Sequence, residues 1–493
     1  EVLADSENIP ERMSEEETAH RVDYSGQRCI TVDPPDAADF DDAVFLEETE
    51  AGWRLYVHIA DVALAVPEGS ALDAEARERS TSVYMPGHVI PMLPPRLSSL
   101  LCSLLPGEAR PCQSAVIDFD REGARLSYRI ERSVIRSSLR LHYGQVRRLV
   151  EGAPHPGEEV PDWALSSLRQ MHEFSQKLRA RRFADGGVFL DMPEVRVRVG
   201  DGGETLGVDL RSQDFSHQII EEFMLAANRA VAEFMVTTEL PGIFRTHEAP
   251  DEERLRELST FVKTFGLTFK PPFSRRKIQK LVESIKGKPF EPTVMLAVLT
   301  SMKQARYTGV DGDHFALAFR PYCHFTSPIR RYPDLVVHRA LAGMYPPGEA
   351  VIDTVARGGR RRGRRAQVAD RRAAAGRMES LAQHCSDMER RAAEAERRIT
   401  RFRQMELLER SGAAEHSGVI TGVTDFGLFV RIDGLFVEGL VHVASMSDRY
   451  RYLPRRQELQ GQRTGRRWRL GDAVTVRVTR LDLTAARVEL EMA

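Results

Sequence analysis

Five aspartates lie within ten positions of this sequence: Asp33, Asp36, Asp39, Asp41 and Asp42. No lysine, arginine or histidine lies among them. Like charges this close repel one another and raise the free energy of the folded state, so a cation that neutralises them stabilises such a loop. All the candidate ligands are oxygen atoms, which favours Mg²⁺, or else Mn²⁺, over Zn²⁺. The pattern predicts a divalent-cation site, with a solvated acidic turn as the alternative.

The sequence on either side of the loop bears on this choice. Residues 29–32 precede the aspartates and residues 43–46 follow them, and both stretches have the apolar character of short strands. A calcium loop of the EF-hand type is excluded by its spacing. Counting from Asp39, Ala43 and Val44 stand where an oxygen ligand and a glycine are required. Carboxylates held between two strands favour a site over a surface turn.

A second segment with chemical potential runs from His324 to Asp334 and contains the adjacent arginines Arg330 and Arg331. The pair lies between a bend at Pro328 and a predicted helix start. Guanidinium groups contact phosphoryl oxygens through paired hydrogen bonds and stay charged. Two arginines alone are weak support for a function. Combined with an oxygen-rich cation site, they indicate phosphoryl chemistry, in which metal ions and arginine share the developing negative charge.

The size and composition of the chain indicate an ordinary globular protein with more than one domain. It has 493 residues, of which 42% are hydrophobic and 29% charged. No window is apolar enough to span a bilayer, and no secretory signal is visible. Five scattered cysteines without a Cys-x-x-Cys pair indicate buried thiols in a reducing compartment rather than disulfides or a zinc site. We therefore expect a cytoplasmic protein that does not contact a membrane.

Apolar periodicity predicts the elements that must position these groups. The clearest helix covers 216–235, with Ser216 as the candidate N-cap. The proline-rich stretch 84–95 is expected to form a rigid, irregular wall. Further helices are predicted at 14–22, 71–79, 251–265, 275–286, 291–306, 333–343 and 386–409, and strands at 114–120 and 125–136.

The formal net charge is only −2, but the arginines are concentrated late in the chain. Residues 357–372 are arginine-rich, and their sequence is compatible with a disordered insertion or a basic helix, either solvated or in contact with RNA. From about residue 411 the sequence alternates like short strands, which predicts a five-stranded OB barrel. The arginines between 449 and 469 add positive charge to this predicted barrel.

The chain resembles the catalytic domain of the ribonuclease II and ribonuclease R family. The resemblance covers roughly residues 23–405, and the C-terminal barrel resembles the RNA-binding OB-fold domain of the ribosomal protein S-one type. The motifs that carry it, besides the acidic loop, are Val57–Asp61, Ser82–Pro86, Val89–Pro94, Leu97–Leu104, Glu221–Asn228, Arg245–Glu248, His324–Asp334 and His384–Ala392, with Phe426–Phe429 and Gly439–His442 in the barrel.

This resemblance implies an α+β catalytic domain, a mixed sheet with surrounding helices, followed by an all-β OB barrel. It also implies a processive 3′-to-5′ hydrolytic exoribonuclease that uses magnesium to degrade single-stranded RNA to nucleoside 5′-monophosphates by two-metal-ion catalysis. In this reading Asp33, Asp39, Asp41 and Asp42 hold the metal ions, and Asp41 is the residue that the chemistry can least spare. Arg330 is the arginine that positions the scissile phosphate.

The resemblance further implies how RNA is held. Tyr84 stacks on the 3′-terminal base and Phe189 wedges the far end of the base stack, with core packing as the alternative for both rings. Glu396 faces the substrate, with Glu389 as the fallback, and Arg331 contacts RNA. Stacking accepts any base, so such a clamp degrades RNA irrespective of sequence. In the barrel, Phe426, Phe429 and His442 either bind single-stranded RNA or fill the barrel.

The expected organisation is an N-terminal arm or linker remnant at 1–22, the catalytic domain at 23–410 and the OB domain at 411–493. Family members commonly carry cold-shock domains ahead of the catalytic domain, where this sequence has about two dozen residues. Nothing in the chain requires a partner subunit, so a monomer is expected. A catalytically inactive RNA-binding regulator and a nuclease that also cuts DNA are the alternatives, and the presence of all four aspartates and Arg330 favours an active enzyme.

Overall fold

A large, mostly antiparallel sheet forms the centre of the N-terminal four-fifths of the chain, which we call the main unit. The computed structural model describes all residues except 12, 191–192, 201, 212, 289, 346–348, 354–367 and 455. The strands of the main unit are β1 (Val22–Tyr24), β2 (Ile30–Asp33), β3 (Asp42–Thr49), β4 (Gly52–Ala60), β5 (Val83–Met85), β6 (His88–Ile90), β7 (Ala109–Asp120), β8 (Arg125–Arg136), β9 (Leu139–His142), β10 (Glu194–Val199), β11 (Thr205–Arg211), β12 (Phe244–Thr246), β13 (Arg306–Thr308) and β14 (Val351–Asp353).

The helices of the main unit cover the faces and edges of this sheet. They are α1 (Val2–Glu7), α2 (Glu15–Ala19), α3 (Val62–Ala65), α4 (Ala71–Arg79), α5 (Tyr143–Glu151), α6 (Asp162–Ala184), α7 (Phe215–Thr237), α8 (Glu252–Val262), α9 (Arg275–Ile285), α10 (Glu291–Ser301), α11 (Tyr332–Ala342) and α12 (Val368–Ser411). Among the described residues, no helix is both long and apolar enough to cross a bilayer.

The strand order of the sheet is β1-β8-β7-β4-β3-β2-β9, with β14 paired to β8. The outer pairs β1–β8 and β2–β9 are parallel, and the central strands are antiparallel. Phe174 of α6 packs between Trp53, Phe119 and Phe223 at ring-centroid distances of 5.2–6.2 Å. Burial of these aromatic rings provides much of the hydrophobic stabilisation of this face of the sheet.

The N-terminal residues are docked on the main unit rather than extended from it. Arg21 is buried and forms a 2.6 Å ion pair with Asp61, and Arg96 donates to the carbonyl oxygens of Ser6 and Ile9. Removing one partner of a buried ion pair leaves an uncompensated charge, so this contact ties the arm to the sheet.

The C-terminal residues form a closed barrel, as the sequence predicts. Its strand order is β15-β16-β17-β22-β21. The strands that lie between β17 and β21 along the chain, β18, β19 and β20, form a separate three-stranded sheet. Met405 and Leu408 of α12 are part of the barrel core, so the last turns of this helix are built into the barrel. The strands are β15 (His416–Val423), β16 (Gly427–Ile432), β17 (Glu438–His442), β18 (Tyr450–Leu453), β19 (Glu458–Gly461), β20 (Arg467–Arg469), β21 (Ala473–Asp482) and β22 (Arg487–Met492).

Several predictions differ from the observed elements. The cap of α7 is Asp214, whose side chain accepts a hydrogen bond from the Ser216 backbone N–H, so the prediction of Ser216 as the N-cap is wrong. The proline-rich stretch contains a regular hairpin, β5–β6, and the predicted helix 291–306 ends at Ser301. The helix predicted at 386–409 begins much earlier, at Val368. The side chains of the arginine-rich stretch 357–372 lie outside the described residues.

Candidate active site

The acidic loop opens into a cavity of about 1010 Å³ on the main unit. Asp33 is the last residue of β2 and Asp42 the first of β3, so the ends of two neighbouring strands carry two of the carboxylates. The sequence-predicted residues that line this cavity are Asp33, Asp39, Asp41, Asp42, Tyr84, Phe189, Arg330 and Arg331. Residues separated by up to almost 300 positions thus lie around one space.

Asp41 is the most enclosed of the four carboxylates, with only 3% of the residue exposed. Its Oδ1 accepts a 2.8 Å hydrogen bond from the backbone N–H of Ile329. Its Oδ2 has no hydrogen-bond partner and lies 3.6 Å from Nε of Arg330. Burial raises the pKa of Asp41 well above its ordinary value, and the charge of Arg330 opposes that shift.

The neighbouring carboxylates are also destabilised as anions. Burial, reinforced by the charges of Asp42 and Asp41, raises the pKa of Asp33 to about 8. Burial raises the pKa of Asp42 to about 6, against the opposing charges of Arg330 and Arg331. Oδ2 of Asp33 is buried without a hydrogen-bond partner. The surrounding protein therefore supplies too little positive charge to stabilise all of these carboxylates as anions.

The chemistry of these side chains fits a hard divalent cation. The donors are carboxylate oxygens only, and Asp33 and Asp41, which both line the cavity, each have a buried oxygen atom without a hydrogen-bond partner. In the described part of the chain, no three His, Cys, Asp or Glu side chains are close enough together to form a metal site by themselves. Carboxylate oxygens suit Mg²⁺, which keeps several water ligands and binds through one or two carboxylates together with substrate phosphate.

Arg330 and Arg331 have different environments although they are adjacent. The Arg330 side chain is 41% exposed, and its Nη2 donates to Oγ of Ser327 at 3.0 Å. The Arg331 side chain is 19% exposed, and its Nη2 donates to Oδ1 of Asp334 at 2.8 Å. Arg330 is therefore free to reach a ligand in the cavity, whereas Arg331 already has an anionic partner that holds the loop before α11.

Tyr84 links three elements at the edge of the cavity. Its hydroxyl donates to Oδ2 of Asp39 at 2.9 Å, and its backbone N–H donates to Oε1 of Glu396 on α12 at 2.8 Å. The residue is 41% exposed, which argues against core packing as its role. Glu389, the alternative to Glu396, instead pairs with Arg245 at 2.7 Å. Of the two glutamates, Glu396 thus contacts the residue predicted to stack on a base.

Phe189 lies in the connection between α6 and β10, outside any helix or strand. Its backbone N–H donates to Oε1 of Gln279 at 3.0 Å. The guanidinium carbon of Arg179 lies 4.1 Å from the centroid of its ring. Phe189 is half-buried and lines the cavity on the side that also contains Leu190 and Glu221.

Several residues of the cavity wall were not singled out from the sequence. Tyr143 stacks on His217 with ring centroids 4.1 Å apart and an interplanar angle of 11°, and both line the cavity. No local pattern marks Tyr143, because its position depends on the parallel β2–β9 pairing that brings the start of α5 beside the aspartates. Glu221 and Asn228 also line the cavity, and the motif from Glu221 to Asn228 was the available signal for them.

The barrel has its own exposed aromatic surface. Phe426 is 45% exposed, and its ring is perpendicular to that of Phe429 at a centroid distance of 6.1 Å. His442 is exposed, and its register opposite Gly427 puts it on the same face of the β16–β17 pair as Phe429. The three predicted residues therefore lie together on the surface, which argues against barrel filling for Phe426 and His442.

Comparison with known proteins identifies two matching families. The RNB domain model matches residues 21–345, and the S1 RNA binding domain model matches residues 413–493. Ribonuclease R of Aquifex aeolicus is 37% identical over the whole chain, which spans 67% of that protein. Ribonuclease R of Escherichia coli is 35% identical over 98% of the chain, which spans 59% of that protein. The structure of Mycoplasma genitalium RNase R in complex with ribose-methylated single-stranded RNA superposes over the entire chain and 75% of its own length, with a TM-score of 0.89 and 26% identity.

Proposed function

The chain belongs to the RNB-domain family of ribonucleases, and from that premise we propose that it is a processive exoribonuclease that hydrolyses single-stranded RNA from the 3′ end and releases nucleoside 5′-monophosphates. The observation that carries this proposal is the arrangement of unsatisfied carboxylate oxygens on Asp33 and Asp41 beside the exposed guanidinium of Arg330. This combination provides cation-binding oxygens and a phosphate-binding group at one point of a cavity bordered by Tyr84.

We propose that Asp33, Asp39, Asp41 and Asp42 hold two divalent ions, Mg²⁺ or Mn²⁺. Such ions, when bound, lower the pKa of a ligated water and stabilise the charge on the leaving oxygen. Arg330 contributes a guanidinium that binds a non-bridging phosphate oxygen and stays charged throughout. The hydrogen bond from Ile329 holds Asp41 in a fixed orientation, so the carboxylate does not have to reorganise when substrate arrives.

We propose that the aromatic residues decide how the strand is held. The exposed ring of Tyr84 adjoins Asp39, where a base at the 3′ end would stack on it. A second stack against Phe189 would hold the strand further from the carboxylates. Each stacked base contributes about 1–3 kcal/mol whatever its identity, which supports degradation without sequence preference. Glu396 supports this clamp by fixing the backbone of Tyr84.

We propose that residues 23–410 form the catalytic domain, that 411–493 form the RNA-binding domain, and that the docked residues 1–22 complete the catalytic domain. A cytoplasmic, monomeric protein is the simplest organisation consistent with this proposal. In the separate sheet, Arg451, Gln460 and Arg467 form a row across β18, β19 and β20. Because Leu459 and Trp468 on the opposite face are buried, this row faces solvent, where it can contact the phosphates of incoming RNA.

The decisive experiment uses 3′-labelled and 5′-labelled RNA and DNA strands of the same sequence, each with Mg²⁺ and with EDTA. We expect 5′-monophosphates from RNA only, released from the 3′ end and only when Mg²⁺ is present. Products from DNA would favour the general nuclease, and RNA binding without any release of monophosphate would favour the inactive regulator.

The barrel is tested separately by the salt dependence of RNA binding. Loss of each phosphate contact lowers the slope of log K against log salt by about 0.7 for single strands. We expect the double variant Arg451→Gln/Arg467→Gln to lose between about 0.7 and 1.4 of the slope. Arg477→Gln, which removes an arginine paired with Glu415, is the control and should leave the slope unchanged. A double variant with an unchanged slope would exclude this row as an RNA contact.

A further inference from the structure

The wedge residue Phe189 lacks the support of a regular element. It lies in the connection that follows α6, and its backbone N–H donates to the side chain of Gln279. A ring in such a segment has several accessible rotamers, so holding it against a stack of bases requires contacts from neighbouring side chains.

Arg179 of α6 supplies such a contact. Its guanidinium carbon lies 4.1 Å from the centroid of the Phe189 ring and 5.0 Å from that of Phe183. The two phenyl rings are themselves in edge contact, with centroids 6.3 Å apart. The planar cation therefore contacts two aromatic rings, an arrangement that the charge distribution of the ring favours and that a lysine ammonium cannot reproduce with the same flat contact.

Arg179 also lies near two acidic residues of α7. Its Nη1 lies 4.0 Å from carboxylate oxygens of both Glu221 and Glu222, and its side chain is only 16% exposed. Glu222 is buried and also bound by Arg182, whose Nε donates to both carboxylate oxygens at 3.2 Å. Arg179 thus lies within contact of both a carboxylate pair on α7 and the ring of Phe189.

We propose that Arg179 is a positioning residue that holds the Phe189 ring in place and thereby sets the length of RNA that the enzyme retains before its remnant dissociates. The inference rests on the proposed function. Part of the binding of the distant end of the strand then depends on a residue that does not itself touch RNA. A remnant too short to reach Phe189 is held only near Tyr84 and leaves sooner than one that is stacked at both ends.

The test replaces Arg179 by lysine, which keeps the positive charge beside Glu221 and Glu222 but loses the planar stacking surface. We expect Arg179→Lys to weaken the binding of a five-nucleotide RNA, measured in EDTA, by about 2-fold to 30-fold, the range that a cation–π contact supports. The rate of nucleotide release from long RNA should change less than twofold, while the final products become longer. Arg181→Lys, the same substitution on an exposed residue of the same helix, is the matched control.

A double-mutant cycle separates positioning from general damage. Phe189→Leu should weaken binding of the short RNA at least as much as Arg179→Lys, and adding Arg179→Lys to Phe189→Leu should weaken it no further. Additive effects would show that Arg179 acts independently of Phe189 and would overturn the inference, as would wild-type product lengths in Arg179→Lys. If the wild-type protein binds short RNA but releases no monophosphate with Mg²⁺, the proposed function fails instead.

Discussion

Replacing Asp33 by asparagine should stabilise the metal-free protein at neutral pH while impairing its proposed activity. Burial and the charges of Asp42 and Asp41 raise the pKa of Asp33 from its ordinary value of 3.8 to about 8. The folded state therefore binds a proton more tightly than the unfolded chain. The contribution of this proton to stability is full below pH 3.8 and is lost as the pH rises through 8. At pH 7 most of this loss has occurred, and an uncharged asparagine avoids it.

The magnitude follows from the pKa difference. Each pKa unit corresponds to about 1.36 kcal/mol. Keeping Asp33 protonated in the folded state, while the unfolded chain ionises it, therefore costs at most about 4 kcal/mol at pH 7 and about 1.6 kcal/mol at pH 5. The residue as a whole is only partly buried, and solvent screening reduces the effect, so we expect a gain of about 1–3 kcal/mol at pH 7. The gain should shrink as the pH is lowered towards 4.

The assay is urea unfolding in EDTA at pH 7, 6, 5 and 4, comparing wild type, Asp33→Asn and Asp36→Asn. Asp36 is an exposed loop aspartate that contacts Arg196, so its replacement should leave the midpoint nearly unchanged at every pH. Added Mg²⁺ should stabilise the wild type, by about 2.7 kcal/mol at one hundred times its dissociation constant, and stabilise Asp33→Asn less. An Asp33→Asn midpoint that is lower than wild type at pH 7, or a shift independent of pH, would refute the view that the loop carries uncompensated charge.

Three further outcomes are expected. Asp41→Asn should retain RNA binding within about threefold yet lose at least 100-fold in the rate of monophosphate release, measured with labelled RNA. The reason is that the substitution removes the carboxylate charge that faces Arg330 in the site. Tyr84→Phe, which loses only the hydroxyl contact to Asp39, should bind short RNA more tightly than Tyr84→Ala by about 1–3 kcal/mol, since it keeps the stacking surface. His58 is buried between Ser114 and Gln27, and burial lowers the pKa of its imidazole to about 3. The stability it contributes is therefore present above pH 6.5 and lost towards pH 3, and the stability of His58→Gln, followed by urea unfolding, should depend less steeply on pH between 6.5 and 4.

The sequence was sufficient wherever function depends on local patterns. The acidic loop, the helix of residues 215–237 and the alternating strands of the barrel all follow from spacing and periodicity, and the structure has each of them. It also places Asp33 to Asp42, Tyr84, Phe189 and Arg330 around one cavity, although the roles assigned to these residues remain predictions. The proline-rich stretch was misjudged because its two short strands are set by pairing across Gly87, which adopts a positive φ of 77°.

The sequence was insufficient where neighbours in space decide a role. The long helix α6 was not predicted because polar and charged residues interrupt its apolar face, which consists of residues such as Leu168, Met171 and Phe174. Arg330 and Arg331 are indistinguishable as adjacent letters, and only the ion pair with Asp334 separates them. Arg179 gave no signal at all, since its relation to Phe189 depends on how the connection after α6 folds back on that helix.

The acidic loop cannot relieve its repulsion by rearranging, and this is what ties its stability to its proposed function. Asp33 is fixed by β2, which pairs with β9, and Asp42 by β3, which pairs with β4. Asp41, between them, is fastened to the backbone of Ile329 in a different part of the chain. Moving these carboxylates into solvent would disrupt the β2–β9 and β3–β4 pairing, so the repulsion persists in the folded state. Only protonation or the binding of positive charge can then lower the free energy of the site, and at neutral pH a divalent ion is the stronger of the two because it attracts several carboxylates at once.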